Sequence, residues 1–265
     1  MLYYNYRYLS SKYGRWIRTD PIMENSGKNL YSFCHNLPTS YFDYIGLWSS
    51  WWIFDEHSDF TKVGFLLIPG MLEEYGNNVL NIIVEGNLNT DKSSLFFDNL
   101  SYHFNRPIKG SIFQAQLGYL FTLLNEYFTF INQIGNLENP CCQNSITLSI
   151  CRDELGRIGR ITHMLQDFYA HAVVMDSSFF KTGELSNACP LWPFNMKPSS
   201  YDINCNFLKG LFFNGEHGGL LCSEPGNRAP DKWYRKCKSI EWTSFTLIFL
   251  LPQWNIRCKQ CKTKL

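Results

Sequence analysis

Residues 155 to 174 read LGRIGRITHMLQDFYAHAVV, and the order of apolar and polar side chains in this stretch decides how the chain folds. At about 100° per residue on a helix, Ile158, Ile161, Leu165, Phe168 and Ala172 fall on one side. His163, Asp167 and His171 fall roughly 130° away on another. Steps of four residues place these three on a single stripe, each displaced by roughly 40° and about 6 Å from the last, so two or three can converge on one or two adjacent metal ions. Imidazole nitrogens with a carboxylate are a natural ligand set for zinc, and a shared Asp can bridge two ions. The competing reading is a solvated helix face, where charge pairs four residues apart are common.

Around this helix the chain changes texture. From Trp48 onward, apolar-periodic stretches at about 111 to 134, 152 to 175 and 232 to 251 predict helices separated by loops rich in Gly, Asn and Pro. The segment 181 to 231, with Cys189-Pro190, Trp192-Pro193, Lys197-Pro198, Gly218-Gly219 and Pro225-Gly226, reads as loop-dominated. Residues 1 to 47 read as short aromatic strands, with alternating Tyr4, Tyr6 and Tyr8, then Gly14-Arg15-Trp16, broken at Asp20-Pro21, Ser26-Gly27 and Leu37-Pro38. The expected fold is therefore mainly α: a helical domain over 48–265, preceded by a short β-rich piece over 1–47 that is too small to hold itself together.

Two positions on one helix seldom complete a metal site, so further ligands must come from elsewhere. The histidines are 35, 57, 103, 163, 171 and 217, and His35 lies in the N-terminal piece. The segment GNLNTD ends at Asp91, and SYHFN follows with His103, a carboxylate and an imidazole twelve residues apart in what reads as loop then helix. His103 is the next expected ligand. Asp91 is either a ligand or the general base that takes a proton from water activated by the metal. His57 in FDEHSDF, beside Asp59, is a further ligand candidate, and His217 in NGEHGG ranks below it. Cys258-x2-Cys261 has the spacing of half a zinc knuckle, lacks a second pair, and reads as a plain tail.

Bulk properties exclude several classes. A net charge of +1 and a pI near 7.5 give no overall bias toward nucleic acid or anionic membranes. With 45% hydrophobic and 17% aromatic residues the chain has the composition of a folded protein. Its longest apolar runs, Val63 to Pro69 and Phe245 to Pro252, are less than half of the roughly 20 residues a bilayer requires, so no transmembrane segment is expected. The run SFTLIFLL at 244 to 251 has a helical periodicity that suits core packing better than a membrane interface. Neither GxxxxGK, GxGxxG nor GxSxG occurs, which argues against nucleotide-driven and serine-hydrolase chemistry. The opening Met-Leu-Tyr-Tyr-Asn-Tyr-Arg lacks a secretory signal, so export would use another route. Ten cysteines leave the redox compartment open.

The N-terminal piece resembles the C-terminal end of the Rhs (YD-repeat) core. YYNYRYLSSKYGRWIRTDPI at 3 to 22 and NLYSFCHNLPTSYFDYIGL at 29 to 47 carry that family's Tyr-rich segment, GRW, TDPI, NLY and closing GL in order. The family core ends in a DPxGL-like motif, whereas here Asp43 is followed by Tyr44. In that family a variable and often toxic domain follows the core. The resemblance implies a toxin-like effector at 48–265, an exported or cell-surface system, and an immunity protein as partner.

The helix LGRIGRITHMLQDFYAHA resembles that of Het-C-like proteins and related zinc-dependent phospholipase C domains, whose pattern is H-x3-D with a further His. The order Asp91, His103, His163, Asp167, His171 is similar to the ligand order of zinc phospholipase C and the related single-strand nucleases. By that resemblance His103, His163 and Asp167 share one metal, Asp167 bridges, and His171 starts a second site, with one to three zinc ions in all. Those phospholipases also use a free N-terminal Trp amine as ligand, which cleavage after Leu47 would expose as Trp48. The resemblance implies a phospholipid or other phosphodiester substrate and contact with a membrane surface. Two departures stand: Ala172-Val173 replaces the usual Ser-Asn, and no late His-x3-Glu pair follows, so one metal position is expected and the second is optional. The alternatives are a zinc nuclease and a non-catalytic tip of an Rhs-type surface protein.

Overall fold

The stretch that decides the fold lies in a helix of 27 residues, Ser145–His171. A computed structural model describes residues 1–4, 7–19, 29, 31–33, 41–42, 50–51, 56–93, 100–107, 109–137, 145–174, 189–201 and 233–265. Among them the helices are α1 (Glu56–Leu66), α2 (Met71–Ser93), α3 (Ile112–Gly135), α4 (Ser145–His171) and α5 (Trp233–Cys258), and the fold is mainly α. Two compact units divide after Asp59, inside α1; from sequence the boundary is expected after Leu47.

In the first unit, β1 (Leu2–Tyr4), β2 (Arg7–Ser10) and β3 (Arg15–Trp16) form an antiparallel sheet, with Tyr3 opposite Tyr8 and Leu9 opposite Trp16. Leu9 and Trp16 are buried, and the Arg7 guanidinium lies 4.2 Å from the Trp16 ring centre. A second antiparallel pair joins β4 (Tyr41–Phe42) and β5 (Ser50–Trp51).

In the second unit α4 is the central element, packed on α2, α3 and α5. Its apolar side contributes Leu155, Ile158, Ile161 and Phe168 to a core shared with Ile83, Leu123, Leu247 and Trp254. The approach of α2 to α4 depends on missing side chains. A Cβ at Gly86 would collide with the backbone of Gly156, and one at Gly159 with the Ile83 carbonyl and the Asn87 amide. Residues 86 to 91 read as a loop from sequence, yet they continue α2 to Ser93, because Gly86 packs against the Gly156 backbone and Asn87 and Thr90 are buried in the helix interface. Gly76, with φ at 79°, separates the first turn of α2 from the rest in a conformation that side chains disfavour.

Helix α5 runs past Pro252, where the sequence pattern predicts its end. Proline removes one hydrogen bond, but Trp254 and Cys258 beyond it are fully buried, and the Trp254 indole donates to the Cys151 carbonyl at 2.8 Å. Cys258 is no plain tail: it forms a disulfide with Cys151 that ties α5 to α4, and the Cys261 sulfur lies 3.6 Å from that of Cys151. The run at 244 to 251 is divided, with Leu247, Leu250 and Leu251 buried and Phe245, Ile248 and Phe249 exposed. Among the described residues this unit also holds three short strands. β8 (Met196–Tyr201) lies between β6 (Asn105–Pro107), to which it is parallel, and β7 (Ala172–Val174), to which it is antiparallel. Among the described residues no helix is long and apolar enough to cross a membrane.

Candidate metal centre

The polar stripe of α4 faces inward. His163 and Asp167 have no exposed surface and His171 has 3%, which removes the reading of a solvated helix face. Burial of this kind is costly unless each group has a partner. His103 supplies one. It follows the short 3-10 turn Leu100–Tyr102 and precedes β6, not a helix as the sequence suggests, and its Nδ1 lies 2.6 Å from Asp167 Oδ2. The same carboxylate oxygen is 3.3 Å from His163 Nε2 and 3.8 Å from His171 Nε2. His163 Nε2 is also 3.2 Å from His103 Nδ1, with the two rings perpendicular.

The spacing of these atoms is also compatible with a shared metal ion. Donors on a tetrahedral zinc, with bonds of about 2.0–2.1 Å, lie about 3.3 Å apart, and two sides of the triangle formed by His103 Nδ1, His163 Nε2 and Asp167 Oδ2 measure 3.2 and 3.3 Å. The third, at 2.6 Å, is a short hydrogen bond whose proton a metal would displace. All three corners are equidistant from a point about 1.8 Å away, within reach of zinc–nitrogen and zinc–oxygen bonds of about 2 Å.

A layer of uncharged polar residues orients His163. Asn87 Nδ2 donates to Thr61 Oγ1 at 2.9 Å and to Thr162 Oγ1 and Gln166 Oε1 at 3.1 Å each. With its nitrogen so used, Asn87 turns its Oδ1 to His163 Nδ1 at 3.4 Å. With the proton of that imidazole on Nδ1, Asn87 Oδ1 would accept it and Nε2 would present its lone pair to the cluster. Gln166 Nε2 donates in turn to Thr61 and Thr243 at 3.0 and 2.9 Å. Helices α1, α2, α4 and α5 all contribute to this layer.

His103 is positioned from the other side. The preceding Tyr102 donates to Glu126 Oε1 at 2.6 Å, and Glu126 is paired with Arg157 at 2.7 Å and Arg160 at 3.3 Å. Burial would raise the Glu126 carboxyl, but the Tyr102 hydroxyl and the two guanidiniums hold it below its ordinary value. Burial, with that hydrogen bond, pushes the Tyr102 hydroxyl up to about 12, so it stays protonated as the donor. Phe104, Tyr119 and Phe168 pack with ring centres 4.9 to 5.9 Å apart beneath the turn.

Of the residues expected from sequence, the structure therefore brings His103, His163, Asp167 and His171 together. His57 stands in the first turn of α1, one turn ahead of Thr61 on the same unbroken helix, and with His163 and Asp167 it makes a group whose ligand atoms lie within 4.8 Å of one another and which could hold a metal ion. Asp91 falls in the last turn of α2 and not on a loop. His35 and His217 lie outside the described residues. Sequence reasoning missed Asn87, Thr61, Thr162, Gln166 and Thr243. A signal existed for two of them: Thr162 and Gln166 are four residues apart on α4, each immediately preceding a ligand candidate. No family model, no curated protein and no solved structure matches the chain.

Proposed function

We propose that the helical unit is an effector domain that hydrolyses phosphodiester bonds with bound zinc, in the manner of a phospholipase C. The observation that carries this reading is the convergence of three imidazole nitrogens on one buried Asp167 oxygen, beside a polar layer that places Asn87 Oδ1 against His163 Nδ1. His103, His163 and Asp167 would hold the ion, with His171 and His57 available to complete its coordination. Zinc supplies Lewis-acid polarisation of water and of phosphoryl oxygen at neutral pH.

The chain's own residues supply the rest. Asn87 accepts the Nδ1 proton of His163 and keeps its lone pair directed inward. The rings of Phe104, Phe168 and Tyr119 exclude water from one side. His103, with 14% of its side chain exposed while Asp167 and His163 have none, offers substrate an approach to the cluster. In the reaction the oxygen of water attacks phosphorus, the P–O bond to the alcohol breaks, and the alcohol leaves with a proton. A phospholipid is preferred over nucleic acid because the chain has no overall basic charge.

Metal analysis with activity tests this directly. The purified chain is expected to contain at least one equivalent of zinc and to release phosphomonoester from a phosphodiester. Asp167→Asn is expected to abolish the activity and weaken zinc binding. Less than one equivalent of zinc, or undiminished activity in Asp167→Asn, overturns the proposal.

A further inference from the structure

The end of the helical unit that carries His103 and His171 also carries an exposed aromatic patch. Residues Leu191-Trp192-Pro193-Phe194 turn into β8 through the short 3-10 segment Pro193–Asn195. Trp192 is 65% exposed, and Phe113 in the first turn of α3 is 60% exposed. The Phe194 ring joins them, with its centre 5.9 Å from that of Trp192 and 6.1 Å from that of Phe113. Along α3 the outward row continues with Phe121 and Phe128, each 64% exposed.

The patch is held in place. The buried Gln116 side chain donates to the carbonyls of Pro193, Phe194 and Met196 at 3.4, 3.3 and 2.6 Å, fixing the turn against α3. β8 then pairs Pro198 with Ala172, which follows His171, and Ser199 with Asn105, two residues after His103. One small sheet thus links the aromatic turn to the backbone beside two of the proposed ligands.

Charge indicates what covers the patch. Residues 100 to 125 and 189 to 201 include Lys109, Lys197 and the buried Arg106 but no Asp or Glu, and Glu126, between Phe121 and Phe128 on α3, is buried and paired with Arg157 and Arg160. Lys109 is exposed and Lys197 half-buried. An indole and phenyl rings with two accessible lysines in the same segments, and no exposed carboxylate among the described residues there, match the interface of an anionic bilayer. There the rings settle at headgroup level and the ammonium groups meet the phosphates.

We propose that the Leu191–Phe194 turn, Phe113 and the outer row of α3 form a docking surface for an anionic phospholipid bilayer, bringing the exposed edge of His103 toward the headgroups. The inference rests on the phosphodiesterase reading only in naming its substrate as lipid; docking itself requires no metal. The test is cosedimentation of the full chain, in EDTA, with vesicles of phosphatidylcholine alone and of phosphatidylcholine mixed with phosphatidylserine, with zinc content measured separately on the same preparation. Binding to the mixed vesicles is expected, weakened by salt. Trp192→Ala with Phe113→Ala is expected to reduce it about tenfold or more, and Lys109→Glu with Lys197→Glu by about fivefold or more per position. Trp192, Phe113 and Lys109 are exposed and Lys197 is half-buried, so circular dichroism should show both double variants folded. Absence of binding to mixed vesicles, or both double variants binding like wild type, overturns the docking surface, the second outcome pointing to contact elsewhere on the chain. Zinc without vesicle binding defeats the docking proposal alone, and vesicle binding by a chain that takes up no zinc supports docking while defeating the hydrolase reading.

Discussion

Replacing Asn87 by leucine tests how the centre is built. In the wild type, Nδ2 serves Thr61, Thr162 and Gln166 at 2.9 to 3.1 Å and Oδ1 faces the His163 Nδ1 proton at 3.4 Å. Leucine keeps nearly the same shape and offers neither group. The threonine hydroxyls can rotate, and Thr162 already donates to the Gly159 carbonyl at 2.7 Å. The Gln166 carbonyl oxygen and the His163 N–H each lose this buried partner, at about 1–3 kcal/mol apiece, so about 2–6 kcal/mol of stability is at stake. Against the roughly 5–15 kcal/mol of a typical domain, the variant should fold but unfold at lower denaturant. Zinc affinity is expected to fall about 10–100-fold, the usual cost of losing the group that orients a ligating histidine. Asn87→Asp retains an acceptor for the same proton and is expected to bind zinc close to wild type, even where it loses stability. Competition with a chromophoric chelator, on samples shown folded by circular dichroism, measures this. Wild-type affinity in Asn87→Leu refutes the orienting role, and equal weakening in both variants places the effect in the threonine and glutamine layer instead.

Three further perturbations address the frame around the centre. Gly159→Ala puts a methyl group against the Ile83 carbonyl and the Asn87 amide; a loss of about 1–3 kcal/mol is expected in urea unfolding, with zinc affinity falling alongside, and unchanged stability would show that α2 and α4 separate freely. Cys258→Ser opens a covalent link between residues 107 apart in sequence, with an expected loss of about 2–4 kcal/mol; reduction of the wild type should give a similar shift, and no shift in either would refute the clasp. Because Glu126 is held below its ordinary value of 4.5, its contribution is complete above that value and is lost as pH falls through the lower folded one. The wild-type melting temperature should therefore drop more steeply than that of Glu126→Gln across that acid window, and parallel curves would refute the pairing.

Helices α3, α4 and α5 were legible in the sequence because each carries a sustained apolar stripe, and the His163, Asp167, His171 spacing was legible for the same reason. Helix α2 hides its character. Gly86 and Asn87 read as breakers by local preference, but a glycine facing another glycine across a helix pair, and an amide facing a layer of hydroxyls, belong to tertiary structure. The length of α5 was obscured by Pro252 for a similar reason, since burial of Trp254 outweighs the lost hydrogen bond. His103 could be nominated from its residue type, but only the fold shows that it meets Asp167, because 64 residues separate them.

Periodicity also says that α4 has a polar side without saying which way it faces. An amphipathic helix ordinarily turns that side to water, and α4 turns it toward α1, α2 and α5. Thr61, Asn87, Thr162, His163, Gln166, Asp167 and Thr243 all have no exposed surface. Well-packed apolar residues of similar volume would fill the same space at least as stably, since buried polar and charged groups seldom repay their desolvation. The layer nevertheless closes its hydrogen bonds around a single imidazole and turns that ring's Nε2 to a carboxylate shared with two other histidines. A purely structural network has no need of such an orientation. The proposed cation would need it, and once bound would offset the desolvation of Asp167.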